Sequence, residues 1–151
     1  MKQLPDDFRE LLRLLNDHEV EYLVVGGWAL GVYGYIRATG DMDIWVGLHT
    51  GNLTKLVSAL VDFGIPGPIN AGFFAEKGNV FRMGRPPIKI EIITEASGID
   101  FDESYPQRKD IVVDGINLPF IGYDDLVKNK RSTGRLKDLA DLEGLGEDPL
   151  L

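Results

Sequence analysis

Apolar residues near the start of the chain repeat with the spacing of an amphipathic helix. Within residues 6–17 they recur at i, i+3, i+4 and i+7, beginning at Phe8 and ending at Leu15. Pro5, followed by two aspartates, supplies a helix start. The pattern therefore predicts an N-terminal helix over residues 6–17 that buries one face.

The next part of the chain switches between strand-like and helical patterns. Residues 20–25, a short β-branched and aromatic run, predict a buried strand, and residues 42–46 predict a second one. A short helix is expected between them, over residues 28–35. Residues 52–63 predict a longer helix, because their apolar positions share one face and Gly64 closes the segment.

Two β-hairpins are predicted in the second half of the chain, because strand-like runs flank turn-forming residues. The first turn is Gly84-Arg85-Pro86-Pro87, and the second is Asp114-Gly115, a dipeptide typical of tight hairpins. The strands are residues 80–83 and 88–93 in the first hairpin, and residues 110–113 and 116–120 in the second. The Gly- and Pro-rich residues 65–72 are expected to be a connector.

Helical patterns over residues 124–131 and 135–145 end the chain, with Ser132-Thr133-Gly134 between them. Strands mixed with helices and hairpins favour an α/β (α+β) fold, with a mixed β-sheet flanked by helices, over a purely parallel sheet. Without a linker or internal repeat, 151 residues are expected to form one domain (1–151). Its core, residues 20–120, lies between the N-terminal helix and the C-terminal helices.

Composition narrows the classes of function. No apolar run approaches the roughly 20 residues of a membrane span, and the N-terminus has no signal-peptide core, so a cytoplasmic location without membrane contact is expected. The absence of cysteine excludes disulfides and thiolate metal sites, and the two histidines argue against a histidine-built zinc site.

Charge indicates a small anionic ligand. The net charge of −8 disfavours generic nucleic-acid binding, which depends on neutralising phosphates with Lys and Arg. Basic residues nevertheless cluster in two places, around the first hairpin turn and near the C-terminus. These residues are Arg82, Arg85 and Lys89 in the first cluster, and Lys128, Lys130, Arg131, Arg135 and Lys137 in the second.

Two carboxylates, Asp41 and Asp43, are the first candidate for chemistry. They open a predicted strand two positions apart, so both project from one face with Cα atoms about 6.5–7 Å apart. Such carboxylates repel each other unless a cation sits between them, and Mg²⁺ takes carboxylate and phosphate oxygens. Pairs of this kind are also common at strand ends on protein surfaces.

Two further features, a glycine pair and a third acid, could belong to the same site as Asp41 and Asp43. Gly26-Gly27 ends a strand and turns into a helix, where phosphate can approach the backbone, although a tight turn also requires glycine. Glu91 is the one acid of a later apolar strand. If that strand lies beside the aspartates, Glu91 closes a three-carboxylate metal site; otherwise it pairs with Lys89 on a solvated face.

The order and spacing of these motifs resemble the signature of the nucleotidyltransferase superfamily with the DNA polymerase β-like fold. The matching residues are Leu23-Val24-Val25-Gly26-Gly27-Trp28-Ala29, thirteen intervening residues, Asp41-Met42-Asp43-Ile44 and the later Glu91, which is Asp in many members. A small bacterial and phage branch related to AbiEii-type toxins is similar in two further stretches. These are Arg37-x-Thr39-x-Asp41-x-Asp43, and Asn129-Lys130 with Gly134-Arg135-x-Lys137-Asp138-Leu139-x-Asp141. The resemblance covers residues 21–145.

The resemblance implies a two-metal mechanism. Asp41, Asp43 and Glu91 would hold two Mg²⁺ ions, for which Mn²⁺ can substitute. One ion activates an attacking hydroxyl, and the other binds the triphosphate and stabilises the leaving pyrophosphate. Gly26 and Gly27 would contact the triphosphate.

The resemblance also implies roles for basic and polar residues around the acids. Arg37 is expected to clamp phosphate, or else to be an exposed loop cation, and Thr39 to bind phosphate or cap the turn. Lys130 and Arg135 are expected to reach the nucleotide or its acceptor. Structural roles are expected for Asp138 and Asp141, which would anchor these basic residues near the site.

The resulting hypothesis is an enzyme that moves a nucleoside monophosphate from an NTP to a hydroxyl acceptor. The acceptor is an RNA end, a protein side chain or a small molecule, and a toxin–antitoxin system is one setting. The alternative is a catalytically silent nucleotide-binding or antitoxin-like regulatory module that acts with a partner protein. Because the chain leaves little room for an acceptor-binding domain, a partner protein or a homodimer is expected to complete the site.

Overall fold

The computed structural model describes residues 4–36, 40–66, 68–85 and 88–151. Its sheet contains the strands β1 (Tyr22–Val25), β2 (Asp41–Val46), β3 (Val80–Arg85), β4 (Ile88–Ile93), β5 (Lys109–Val113) and β6 (Ile116–Phe120). The helices are α1 (Asp6–Asp17), α2 (Gly26–Val32), α3 (Thr50–Phe63), α4 (Ala71–Ala75), α5 (Phe101–Ser104), α6 (Tyr123–Thr133) and α7 (Leu136–Gly144), with a 3-10 turn at Tyr105–Gln107 after α5.

The six strands form one mixed sheet in the order β3-β4-β2-β1-β6-β5. At its centre β1 pairs antiparallel with β2 and parallel with β6, while β2 pairs parallel with β4. The hairpins β3–β4 and β5–β6 supply the two sides of the sheet. The predicted mixed sheet with helical cover is therefore confirmed, and both predicted hairpins are present. The first turn is shorter than predicted, because Gly84 and Arg85 pair with β4 as part of β3; Pro86 and Pro87 lie outside the described residues.

The N-terminal helix covers part of the sheet with the apolar face that its periodicity predicts. Phe8, Leu11, Leu12 and Leu15 are buried, and the bounds of α1 coincide with the predicted ones. From the same helix, Asn16 accepts a hydrogen bond from the Tyr22 hydroxyl at 2.9 Å, which ties α1 to β1. In the part of the chain that the structure describes, no helix is long and apolar enough to cross a membrane.

Two short helices lie where the hydrophobic pattern predicts none. The first, α4, begins within the predicted connector. It is stabilised because the Asn70 side chain accepts a hydrogen bond from the backbone N–H of Phe73, and because Phe74 is fully buried. Asp100 caps α5 in the same way, and Phe101 packs edge-on against Trp45 with ring centroids 5.2 Å apart. In both helices a side-chain cap and a buried aromatic residue stabilise a segment too short to show helical periodicity.

Candidate active site

The acids singled out in the sequence lie on adjacent strands and share one face of the sheet. In the parallel pairing of β2 with β4, Asp43 is the direct partner of Glu91 and Asp41 that of Lys89. Their faces are set by alternation, because Met42 between the aspartates is buried on the other side. The condition on which the three-carboxylate hypothesis depended, a β4 strand beside β2, is therefore met.

The glycine turn packs directly against these acids. Val25, at the end of β1, is the strand partner of Asp43, and Gly26 follows with φ +69°. A Cβ atom at Gly26 would collide with the Asp43 carboxylate. Glycine is therefore required at position 26 for two reasons: it adopts this backbone conformation without strain, and it leaves room for the Asp43 side chain.

A cleft of about 820 Å³ opens above this face. The sheet face with the glycine turn is called the floor, and it contributes Val25, Gly26, Gly27, Asp41, Asp43, Glu91 and Ile93 to the lining. The α6–α7 wall contributes Asn129, Lys130, Thr133, Arg135, Lys137 and Asp138, and the loop after β4 contributes Glu95, Ala96, Ser97 and Gly98. Acids below and basic side chains beside them thus enclose a polar cavity of ligand-binding size.

Negative charge on the floor is incompletely balanced. Burial of Asp43, together with the nearby Glu91 and Asp41 carboxylates, raises the pKa of Asp43 from 3.8 to about 6, although Lys137 and Lys130 oppose the rise. A carboxylate with a raised pKa in a cleft is a recognised mark of a functional site. Among the described residues, the positive charges of Lys137 and Lys130 therefore compensate the Asp43 carboxylate only in part.

Two basic side chains lie among the acids. Lys89 Nζ is 3.8 Å from Asp41 Oδ2 and 3.6 Å from Glu91 Oε1, and Arg82 Nε lies 3.2 Å from the same Glu91 oxygen. Glu91 therefore faces the aspartates and also pairs with Lys89, which combines the two alternatives left open by the sequence. As these side chains stand, no group of three acids or histidines within the described ranges is arranged to hold a metal ion.

The α6–α7 wall is organised around a buried lysine. Lys130 Nζ donates hydrogen bonds of 2.9 Å to Asp138 Oδ1 and Asp141 Oδ2, and all three side chains are less than a tenth exposed. Asp138 also accepts from Thr133 Oγ1 at 2.6 Å and from Arg135 Nε at 2.8 Å. Asp138 and Asp141 thus anchor basic residues at the cleft.

The same contacts determine the ionisation of Asp138. Burial by itself raises the pKa of this carboxyl. Hydrogen bonds from Thr133 and Lys130, the charge of Lys130 and the hydrogen bond from Arg135 together outweigh burial and lower the pKa to about 2. In contrast to Asp43, Asp138 is fully compensated.

A loop joins the floor to this wall. Ser97 Oγ lies 2.7 Å from Ser132 Oγ, and the Asn129 amide donates to the Ser97 carbonyl at 2.9 Å. Gly98, with φ +78°, lies against Ser132, where a Cβ would have no space. These contacts hold the loop after β4 against α6 on one side of the cleft.

Most of the predicted site residues meet in this cleft. Those that line it are Gly26, Gly27, Asp41, Asp43, Glu91, Lys130 and Arg135. Arg37 and Thr39 lie outside the described residues. Lys137 and the loop residues 95–98 were not singled out as site residues; the basic C-terminal stretch was the signal for Lys137, whereas no sequence signal distinguishes the loop.

Comparison with solved structures places this arrangement in a known fold. The sequence matches no family model and no curated protein. A Thermotoga maritima protein assigned as a nucleotidyltransferase superposes with a TM-score of 0.60 at 14% identity, over 90% of this chain and 88% of that one. The chain has the nucleotidyltransferase fold.

A second structure with this fold is the lincosamide antibiotic adenylyltransferase LnuA bound to lincomycin. It superposes with a TM-score of 0.59 at 14% identity and covers 97% of this chain and 98% of LnuA. Both structures are similar over nearly the full length of the chain, so the nucleotidyltransferase fold extends from the floor to the α6–α7 wall. The AbiEii-type branch stays a prediction.

Proposed function

We propose that this chain transfers a nucleoside monophosphate from an NTP to a hydroxyl acceptor. One observation supports the proposal above the others: Asp41, Asp43 and Glu91 share one face of two adjacent strands and line the floor of a cleft within a nucleotidyltransferase fold. These acids come from two strands that are distant in sequence. Their meeting beside a glycine turn and a basic wall favours a shared chemical task.

The donor set fits a hard divalent cation. Asp41, Asp43 and Glu91 offer only carboxylate oxygens, which Mg²⁺ and Mn²⁺ prefer, and the raised pKa of Asp43 marks negative charge that a cation would neutralise. We therefore assign these three residues to hold Mg²⁺, with Mn²⁺ as a substitute. When bound, the metal would balance the charge of the triphosphate and lower the pKa of the attacking hydroxyl.

The chain's own groups would bind the triphosphate from two sides. Gly26 and Gly27 leave the backbone open to close approach on the floor. Arg135, whose side chain is largely exposed, and Lys137 face the cleft from the wall and suit phosphate oxygens. For Lys130 we propose a positioning role, because two buried carboxylates already hold its ammonium group.

The acceptor is proposed to be a small hydroxyl-bearing molecule. The net charge of −8 disfavours a large RNA surface, and the structurally similar LnuA is a lincosamide adenylyltransferase. An RNA end or a protein side chain supplied through a partner or a second copy is the other form of this proposal. A toxin–antitoxin setting is a further prediction that depends on such a partner.

A second candidate is a catalytically silent nucleotide-binding module. It is favoured by the pairing of Glu91 with Lys89 and Arg82, which draws this carboxylate away from a convergent three-acid arrangement. In that case the cleft would bind nucleotide and report it to a partner without transfer.

Thermal unfolding with each of the four NTPs and Mg²⁺ tests nucleotide binding. At least one NTP is expected to raise Tm by several degrees, and Asp43→Asn is expected to abolish the rise because it removes charge from the metal site. Asp7→Asn, at an exposed position of α1, is the matched control and should keep the rise. An unchanged wild-type Tm with all four NTPs contradicts the metal–triphosphate proposal.

Labelled NTP then separates transfer from sensing. Incubation with cell extract, with separate small-molecule, RNA and protein fractions, should label one fraction in wild type and none in Asp43→Asn. Tight NTP binding without any labelled product would support the silent module instead.

A further inference from the structure

The side chain of Lys89 contacts two of the three carboxylates that the proposed function assigns to a metal ion, Asp41 and Glu91. Its strand partner is Asp41, so its side chain projects from the same face as the acids. The ammonium group lies between Asp41 Oδ2 and Glu91 Oε1, within 4 Å of both. A lysine in this register position places a positive charge beside the acid cluster formed by Asp41, Asp43 and Glu91.

We propose that Lys89 is an internal counter-ion of the acid cluster, which a divalent metal ion must displace from Asp41 and Glu91 on binding. The inference rests on the proposed function, since it assumes that these carboxylates are metal ligands. It goes beyond that function because it assigns the chain a built-in competitor for its own metal site.

The geometry suits a displaceable contact. Both distances from Lys89 Nζ exceed 3.5 Å, longer than a well-formed charge-assisted hydrogen bond. The Lys89 side chain is 33% exposed, whereas that of Lys130, which is held at 2.9 Å, is 7% exposed. Lys89 therefore has access to solvent when it leaves, and its contacts are loose enough to exchange.

Arg82 is a second counter-ion of Glu91, and we expect it to have a weaker effect. From β3 it pairs with Glu91, and its side chain is 64% exposed. Solvent screening reduces the strength of such a pair, so removing Arg82 should matter less than removing Lys89. Lys89 is the residue that bridges acids from both β2 and β4.

Two properties of the chain should move in opposite directions in Lys89→Met. Without nucleotide, the affinity of this variant for Mn²⁺, measured by electron paramagnetic resonance, should rise about two- to fivefold, because the metal no longer competes with an ammonium group. The Tm of the metal-free protein should fall, because the acids lose their counter-ion. A lysine with a purely structural role would lower stability without raising Mn²⁺ affinity.

Three companion variants control for charge and shape. Lys55→Met removes the same charge from an exposed position of α3 outside the cleft, and should leave Mn²⁺ affinity unchanged. Arg82→Gln should raise the affinity less than Lys89→Met, and Lys89→Arg should keep it near the wild-type value. Lys89→Gln serves as the second neutral variant if Lys89→Met does not fold.

The possible results separate this inference from the proposed function. If wild type binds Mn²⁺ as tightly as the neutral Lys89 variants, or more tightly, the counter-ion role is overturned and the proposed metal site is unaffected. An equal rise in Lys55→Met also overturns it, since the effect would then be one of net charge. Absence of Mn²⁺ binding in wild type and in both neutral variants overturns the proposed metal site, and this inference with it.

Discussion

The floor of the cleft and its α6–α7 wall both carry charged side chains, but they differ in how closely those charges are paired. In the wall, Lys130 is buried and forms two hydrogen bonds of 2.9 Å to Asp138 and Asp141. On the floor, Lys89 is one-third exposed and stays beyond 3.5 Å from Asp41 and Glu91. The buried charges of Lys130, Asp138 and Asp141 are thus closely paired within the wall, whereas the charges on the floor are paired only loosely.

Opposite pKa shifts express the same difference. The pKa of Asp43 on the floor rises to about 6 through burial and neighbouring carboxylates, and the pKa of Asp138 in the wall falls to about 2. Ionised Asp138 therefore stabilises the folded chain, and ionised Asp43 destabilises it. A charge that costs stability in the free protein is one that binding can recover.

The largest expected effect is in the wall. Lys130→Met leaves Asp138 and Asp141 buried without their shared cation, so the free energy of unfolding should fall by about 3–5 kcal/mol. Urea denaturation measures the loss. Lys128→Met, at an exposed position of the same helix, should change it by less than about 0.5 kcal/mol. Equal effects in the two variants would mean that the wall network contributes no more than a surface charge.

A smaller loss is expected where the floor meets the glycine turn. Gly26→Ala strains a residue with φ +69° and forces its Cβ against Asp43, at a cost of about 1–3 kcal/mol. Gly31→Ala in the same helix is the matched control, because its Cβ meets no atom within 4 Å. That variant should raise stability by up to about 1 kcal/mol. Thermal and urea unfolding of both variants give the comparison, and a stabilising Gly26→Ala contradicts it.

The smallest effect has the opposite sign. Asp43→Asn should stabilise the metal-free protein by about 1–2 kcal/mol at pH 8, because it removes an acid whose ionisation opposes folding. A raised folded-state pKa means that this penalty is fully present above pH 6 and disappears as the pH falls towards 3.8. Stability curves of variant and wild type should therefore converge between pH 6 and pH 4.

Asp138 provides the internal check on this pH profile. Its lowered pKa means that its stabilisation is complete above 3.8 and is lost as the pH falls towards 2. Both proteins should lose that contribution together in acid. A constant difference between wild type and Asp43→Asn from pH 8 to pH 4 would show that charge at Asp43 is not the cause.

The residue pattern identified the separate parts of the floor, but it left open whether β2 and β4 are neighbours. Alternation alone placed Asp41 and Asp43 on one face, and the apolar strand around Glu91 was identified from its residues. The pairing of β2 with β4 does not follow from local pattern, because strand adjacency depends on contacts between distant segments. That pairing also determines that Lys89 lies beside Asp41.

The wall shows what residue patterns leave undetermined. The basic C-terminal stretch was evident, and Asp138 and Asp141 were expected to anchor it. Which lysine is buried and which faces the cleft depends on how α6 and α7 pack, across the break at Gly134 with φ +64°. Lys130 and Lys137 therefore could not be distinguished by spacing. The contacts of residues 95–98 with α6 could not be predicted, because no pattern in the sequence marks this loop.

The parallel pairing of β2 with β4 also affects how the chain folds. The connection between these strands includes α3, α4 and β3, so Asp43 and Glu91 meet only after a long loop has closed. In a partly folded chain Asp43 and Glu91 are not yet close together. A ligand bound by both residues would therefore bind, and stabilise, only the native state. Each tenfold excess of ligand over its Kd then adds about 1.4 kcal/mol to the native state. Ligand concentration would thereby set how long the chain resists proteolysis.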